Sequence, residues 1–375
     1  MNILYIAHNN LKKNPRALRQ IKSTYQNHKV YTVGASRSGY EKFFFQLKKH
    51  NFFVNVLRLL ILRLGFHEWY YWDIFKKNIY KNLRNIDFDL VIAHEIRMLP
   101  IALKIARKTP VILDAHEYSP KNFDDDPIWR FFIKHHFIWL CNKFLRRVDN
   151  IITVSPGILS EYKKVFNLNP ILLTNAAEFT KDLKPTIINN NNKIKLIHHG
   201  VVSKSRSLDL LIEMMKYLDN NKYELTLMLV CSTYQKLYMR KLIKKSRGLN
   251  VKFVKPVKSS QIIRFANKFD IGIHFVPPVN FNLKYGLGNK FFEFIQSRLA
   301  IAIGPDIEMS KYVKKYKLGI IAKDWSAKSL AGCISSCNLE MIMYYKSQCH
   351  KFSEILSSKN NINNFKKLVS SYDKN

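Results

Sequence analysis

Short apolar runs alternate with longer segments of helical period along the whole chain. Residues 2–7, 29–33, 88–93, 110–114, 150–154 and 170–174 are brief, rich in β-formers and apolar at nearly every position, the pattern of strands covered on both faces. Between them, residues 15–26, 96–107, 128–147 and 156–165 repeat their apolar positions at helical spacing. The rhythm breaks near residue 185, where a proline is followed by Asn189-Asn190-Asn191-Asn192. It then restarts with strand-like runs at 193–198, 224–230, 250–254, 270–275, 299–303 and 318–322, again with helices between, and the chain from 340 onward is helical in composition. Strand–helix alternation of this kind predicts doubly wound parallel sheets. The expected organisation is therefore α/β: a first Rossmann-like domain over 1–178, a polar linker over 179–192, a second Rossmann-like domain over 193–355, and a helical tail, 356–375, able to cross back to the first domain.

Composition adds bounds. The 375 residues are 47% hydrophobic and 24% charged, enough apolar material for two cores without metal or disulfide staples. Five scattered cysteines with no C-x-x-C argue for reduced thiols and against a zinc ribbon. The amino terminus lacks the basic leader of a signal peptide, and the most apolar stretch, 52–66, is too short and too charged to span a bilayer, so a cytoplasmic protein is expected. The formal net charge of +35 calls for an anionic partner.

Open α/β sheets bind ligands beyond the carboxyl ends of their strands, and the polar residues sit there. His8-Asn9-Asn10, His94-Glu95 and Asp114-Ala115-His116-Glu117 follow strands of the first half. The second half offers His198-His199-Gly200 and Tyr285-Gly286-Leu287-Gly288-Asn289-Lys290-Phe291-Phe292-Glu293. In the latter, two glycines permit close backbone approach, Asn289 is expected as the N-cap of a helix over 290–298, and Lys290 adds charge where helix amides suit a phosphate. Arg206, in a basic turn after the first strand of the second half, has the fork that clamps phosphate bidentately. Asp124-Asp125-Asp126 has a D-x-D spacing, but its proline-flanked loop reads as a solvated acidic turn. His135-His136 and His198-His199 are adjacent pairs that point apart and make poor metal sites.

Taken in order, Asn14-Pro15-Arg16, Asp114-Ala115-His116-Glu117-Tyr118, Ile152-Thr153-Val154-Ser155-Pro156-Gly157, His198-His199-Gly200 with Arg206-Ser207-Leu208, Asp270-Ile271-Gly272-Ile273 and Asn289-Lys290-Phe291-Phe292-Glu293 resemble family-4-type bacterial glycosyltransferases over nearly the whole chain. The resemblance implies a GT-B fold, two Rossmann-like domains facing across a cleft. It also implies sugar transfer from a nucleotide-sugar donor, with retention and without an essential metal or other cofactor. It assigns catalytic places to His116, Arg206 and Lys290, donor binding to Gly200, Gly288, Asn289 and Glu293, and the acceptor side to Asn9, Asn10, Arg16 and His94. Two departures stand out: Tyr285 replaces a second glutamate eight residues before Glu293, and His8-Asn9-Asn10 replaces a glycine pair, so the donor sugar does not read across.

The charge is uneven. Residues 1–85 hold 16 basic and 3 acidic side chains, residues 86–178 hold 12 and 11, and residues 179–375 hold 34 and 13. In the first stretch the cations interleave with Phe43-Phe44-Phe45, Phe52-Phe53-Val54 and Trp69-Tyr70-Tyr71-Trp72, the chemistry of an interfacial membrane contact on helical segments. The expected protein is a glycosyltransferase peripheral to the inner face of the cytoplasmic membrane, acting on a glycan or lipid-linked acceptor in capsule or lipopolysaccharide synthesis. A nucleic-acid binder using the basic surface and a catalytically inactive GT-B scaffold remain as alternatives; no nucleic-acid module is apparent.

Overall fold

The computed structural model describes residues 1–48, 50–189 and 192–373. Every strand run expected from the apolar pattern forms, and one more joins them. The first sheet is built from β1 (Asn2–Ile6), α1 (Pro15–Thr24), β2 (Lys29–Gly34), β3 (Phe43–Gln46), α2 (Phe52–Arg63), α3 (His67–Tyr71), α4 (Ile74–Leu83), β4 (Leu90–His94), α5 (Leu99–Ala106), β5 (Val111–Asp114), α6 (Pro127–Phe132), α7 (Lys134–Phe144), β6 (Asn150–Thr153), α8 (Pro156–Phe166) and β7 (Ile171–Leu172). The second comprises β8 (Ile194–Val201), α9 (Leu208–Met214), β9 (Tyr223–Val230), α10 (Lys236–Lys245), β10 (Val251–Val254), α11 (Ile262–Ala266), β11 (Ile271–His274), α12 (Phe281–Tyr285), α13 (Asn289–Gln296), β12 (Ala300–Ile303), α14 (Met309–Tyr316), β13 (Gly319–Ile321), α15 (Ala327–Ser335), α16 (Leu339–Phe352) and α17 (Ser358–Ser370).

Both sheets are parallel throughout, in the orders β3-β2-β1-β4-β5-β6-β7 and β10-β9-β8-β11-β12-β13. Strand order reverses between β1 and β4 in one and between β8 and β11 in the other, and these switch points open the crevices in which such sheets bind ligands. The chain divides into two compact units. The first is residues 1–174 with 280–282 and 361–375, and the second is 175–279 with 283–360. In the first unit Ile3, Tyr5, Ile92, Ile112 and Ile152 meet Phe365 and Val369 of α17 in one buried cluster. In the second, Leu196, Leu225, Leu227 and Ile273 pack against Leu211, Leu330 and Ile334 on one face of the sheet. Ile197, Phe291, Phe294 and Ile301 cover the other.

Local chemistry sets the ends that matter. Asn14 accepts from the Ala17 amide and Pro15 opens α1, which aims Arg16 and Gln20 at the sheet. Three expectations need correction. Phe43-Phe44-Phe45 is not helical: it pairs with β2 in register Tyr31↔Phe43, and the two rings stack at 4.8 Å, so edge pairing decides its conformation. The helix expected over 128–147 divides into α6 and α7 at Ile133. The Asp124-Asp125-Asp126 loop is engaged, not merely solvated. Asp126 caps α6, Asp125 accepts from the Asn280 side chain, and Asp124 from the Phe281 amide.

Of the expected linker, Asn190 and Asn191 lie outside the described residues. Its earlier part is strapped along the second unit: Arg298 donates to the Thr180 carbonyl, Asn267 to Lys184, and the Lys346 ammonium to the Thr186 hydroxyl. Lys346 is fully buried and also holds Asp270 at 3.0 Å and the Phe269 carbonyl. Burial alone disfavours its charge, and Asp270 opposes that effect. Replacing Lys346 by Met leaves the buried Asp270 carboxylate without its cation, though still accepting from the Lys195 amide; urea denaturation should show a loss of about 3–5 kcal/mol, whereas a loss under about 1 kcal/mol would mean that the carboxylate is not dependent on this partner.

Candidate functional site

At the first unit's switch point a buried carboxylate organises the polar residues. Asp114, at the end of β5, has no exposure and accepts from Arg16 Nε with both oxygens at 2.8 Å and from Gln20 Nε2 at 2.5 Å. Arg16 also donates to the Leu173 and Thr174 carbonyls. Burial by itself would raise the Asp114 pKa; Arg16, His116 and His94 more than offset it and hold the carboxyl below its ordinary value. Register pairs His94 with Asp114, and His94 Nδ1 then lies 3.1 Å from His116 Nε2. Burial pushes His94 down to about 3, with His116 and Arg16 adding to the effect against Asp114. Burial likewise lowers His116. The pair is thus neutral near pH 7, with one ring donating to the other.

These placements sort the expected acceptor-side residues. His116 lines a cavity of about 200 Å³ together with Asn9, Glu95 and Arg97. Asn9 Nδ2 donates to Glu95 Oε1 at 3.0 Å. Asn10 is not among the residues lining that cavity; its side chain caps the next turn by accepting from the Lys13 amide. Arg16 and His94 are sealed at 7% and 1% exposure, so they position other groups through Asp114 and His116. His94, Asp114 and His116 bring three ligand-type atoms within 4.8 Å of one another. Because Arg16 and Gln20 already bind both carboxylate oxygens, the donor set suits an orienting chain better than a cation cage. Glu95 was not among the expected site residues, and its backbone lies at φ +67. A non-glycine residue held there costs about 1–3 kcal/mol.

The second unit's switch point is cationic. β8 runs on to Val201, so His199 and Gly200 lie within the strand's carboxyl end and not in a turn after it. A Cβ added at Gly200 would meet Lys290 Cε at 2.5 Å and Arg206 Nη1 at 3.0 Å, and its φ of +149 suits glycine alone. Two cations thus converge over a bare stretch of backbone. Glu293 Oε2 stands 3.5 Å from His199 Nε2. α13 begins at Asn289, with Gly288 as its cap, one residue earlier than expected, and no side chain caps it; Asn289 itself is exposed. Its first amides are therefore available to an anion.

A Cβ on Gly288 would lie 2.8 Å from His274 Nε2, so His274, absent from the expected set, defines how close that loop approaches β11. Its position at a strand end beside the switch point was the available signal. Burial lowers Lys290 from its ordinary range to about 7, with Arg206 adding to it and Glu293 opposing. Burial, Lys290 and Arg206 push His199 down to about 3. The surrounding histidines are neutral, so the local field is set by Lys290, Arg206 and Glu293.

Residues 18–174 match the family described as Glycosyltransferase Family 4. No curated protein matches the chain. Among solved structures, Anabaena HepE in complex with UDP-glucose aligns over 99% of this chain and 100% of its own, at 14% identity and a TM-score of 0.73. Sucrose-phosphate synthase from Thermosynechococcus elongatus aligns over 99% and 98%, at 10% identity and a TM-score of 0.75. WaaG, a glycosyltransferase involved in lipopolysaccharide biosynthesis, aligns over 94% and 95%, at 13% identity and a TM-score of 0.65. At these identities the likeness establishes the fold, two parallel α/β sheets of seven and six strands.

Lys290 should be visible in solution as an outlying amine. After ¹³C-reductive methylation, one lysine signal should titrate with a midpoint near 7 and vanish in Lys290→Gln. Inorganic pyrophosphate favours the charged form and should move that midpoint upward, with proton uptake between pH 7 and 9. A lysine spectrum titrating wholly above 10 would refute the buried placement.

Proposed function

We propose, for a chain that is a family-4-type glycosyltransferase with the GT-B fold, that its second unit holds the diphosphate of a nucleotide sugar and its first unit holds the acceptor. The observation that carries this reading is the convergence of Lys290 and Arg206 over Gly200, beside Glu293 and the uncapped start of α13. Departure of a nucleoside diphosphate builds negative charge on phosphate oxygens. Two fixed cations and the amides near Gly288 and Asn289 stabilise that charge more than they stabilise the intact donor. This is the work a divalent metal does in other phosphate-releasing enzymes, and the side chains supply it here. Glu293 accepts hydrogen bonds from the ribose hydroxyls, with His199 Nε2 standing 3.5 Å from its carboxylate. In the first unit, His116, held by His94 and Asp114, presents its ring to a sugar hydroxyl next to the reacting carbon. Retention at that carbon is part of the proposal. UDP-sugars are the first donors to test because HepE binds UDP-glucose.

Capsule or lipopolysaccharide synthesis at the inner face of the cytoplasmic membrane is the setting we propose. The support is an unpartnered apolar face. On α2 the side chains of Phe53, Leu57 and Leu60 form one stripe, continued by Leu64 just past the helix, and all four are at least half exposed, while Leu62 and Arg58 are buried on the opposite side. Trp69 on α3 and Ile128 and Phe131 on α6 extend the patch, with the Arg63 guanidinium 4.5 Å from the Phe131 ring. Apolar area of this extent marks an interaction surface, and basic flanks suit anionic lipid. Not all the amino-terminal charge serves it, since Arg16 and Arg58 are buried in ion pairs. Among the described residues no helix is long and apolar enough to cross a membrane.

A panel of UDP-, GDP- and CMP-sugars should yield one donor that the protein transfers or slowly hydrolyses. Glu293→Ala and Arg206→Ala should each lower kcat/KM by about 100-fold or more without moving the melting temperature by more than a few degrees. A folded protein that neither binds nor turns over any donor would make the chain an inactive scaffold. Separately, Phe53→Glu with Leu57→Glu should lower cosedimentation with phosphatidylglycerol vesicles about tenfold. Unchanged, salt-insensitive sedimentation would remove the membrane assignment.

A further inference from the structure

The first unit contains a second, larger cavity of about 380 Å³ that none of the residues discussed for transfer explains. It is walled by the segment after β3, by α2 to α4, by the turn after β4 and by α6 and α7. Arg97, Phe123 and Phe137 line both this cavity and the smaller one that holds His116, so the two adjoin.

Its lining is rich in donors and poor in acceptors. Four cationic side chains, Lys48, Arg58, Lys76 and Arg97, face one carboxylate, Asp73. Asp73 Oδ2 is already shared by Lys76 at 2.7 Å, Arg58 at 3.2 Å and His50 at 3.6 Å. Arg97 lies 3.9 Å from Glu95, too far for a hydrogen bond. Among the described residues, Trp129 Nε1 and His136 Nδ1 are buried without a hydrogen-bond partner, their residues 5% and 3% exposed, and Arg97 Nε is likewise unmatched. An indole N–H and a guanidinium can only donate, so the missing partner must bring acceptors. Burial lowers Lys76 against the opposing effect of Asp73, and burial together with His67 and the neighbouring cations lowers His136. The Tyr70, Trp129 and Phe137 rings supply apolar wall of the kind that stacks on a sugar face. The volume lies in the range of small-molecule sites.

We propose that this cavity seats an anionic oxyacid group, a phosphate, diphosphate or carboxylate, carried by the acceptor, and that Arg97 bridges it to the compartment of His116. The inference rests on the first unit holding the acceptor. The acceptor is then charged, and its anion, more than its sugar hydroxyls, fixes its position. Arg97 and Trp129 are binding residues in this scheme. Arg58 and Lys76 keep Asp73 satisfied and contribute field.

The test uses the full chain in an Arg206→Ala background, which disables the phosphate-binding cations of the second unit. Glucose 1-phosphate, methyl α-glucoside and farnesyl diphosphate are titrated against tryptophan fluorescence and by ligand-observed NMR. Glucose 1-phosphate should bind saturably and at least about tenfold more tightly than the neutral glucoside. Arg97→Gln, at a half-exposed position, should weaken it about tenfold. Trp129→Phe, which keeps a ring and removes only the N–H, should weaken it a few-fold. Both variants should keep the parent melting temperature. Tighter binding of farnesyl diphosphate, with the same Arg97 dependence, assigns the anion to a carrier lipid; preference for glucose 1-phosphate assigns it to the glycan. Equal binding of charged and neutral probes, or indifference to Arg97→Gln in a folded variant, overturns the proposal. Donor turnover is measured on the parent chain. Turnover together with failed anion binding sinks only this inference, whereas Arg97-dependent binding without any turnover sinks the transferase reading and leaves an anion site.

Discussion

One buried carboxylate governs the first unit. Asp114 sits at zero exposure where β5 ends, and a charge in that position is tolerated only because Arg16 and Gln20 bind it from α1. The arginine's remaining reach, to the Leu173 and Thr174 carbonyls, ties the far edge of the sheet to the same point. His94 and His116 take their places around that pair, and their neutrality follows from burial beside a guanidinium. The arrangement spends stability on orientation: a well-packed apolar group could replace the ion pair, but nothing apolar would hold two imidazoles 3.1 Å apart.

The second unit solves the reverse problem. It brings two cations, Lys290 and Arg206, together over one stretch of backbone beside Glu293, and glycine at position 200 is the means. The missing Cβ leaves room for Lys290 and Arg206 over backbone, and burial first, with repulsion from Arg206 added, lowers the affinity of Lys290 for its proton. Repulsion of that kind is relieved by a polyanion, so the ligand-free protein stores part of what binding releases. The histidines at 198, 199 and 274 fill the space without adding charge.

The sequence carried the fold well because parallel strands covered on both faces are apolar at nearly every position, a signal that local reading detects. β3 escaped it because a four-residue edge strand of three phenylalanines and a glutamine has no period of its own; only pairing with β2 makes it a strand. The glycines, Arg206, Lys290 and Glu293 were legible since each lies close in sequence to a strand end or helix start. The meeting of His94 with His116 depends on the register of β4 with β5, and the cavity around Arg97 joins cations from segments spread over positions 48 to 97. Neither is a local property, and so neither could be read without coordinates. Asn10 shows a second use of such a position: its place after β1 suggested ligand contact, and its side-chain oxygen caps its own turn.

The division of the chain into discontinuous units bears on how it is made. The first unit includes residues 280–282, where Asn282 bonds Tyr118 through both amide and carbonyl, and residues 361–375, whose Phe365 and Val369 close its core. During synthesis from the amino terminus its sheet emerges early, residues 280–282 follow within the second unit's span, and residues 361–375 come only after that unit's residues are made. The nascent first unit must wait with an open flank until residues 361–375 are made, so a late segment completes the core of an early sheet.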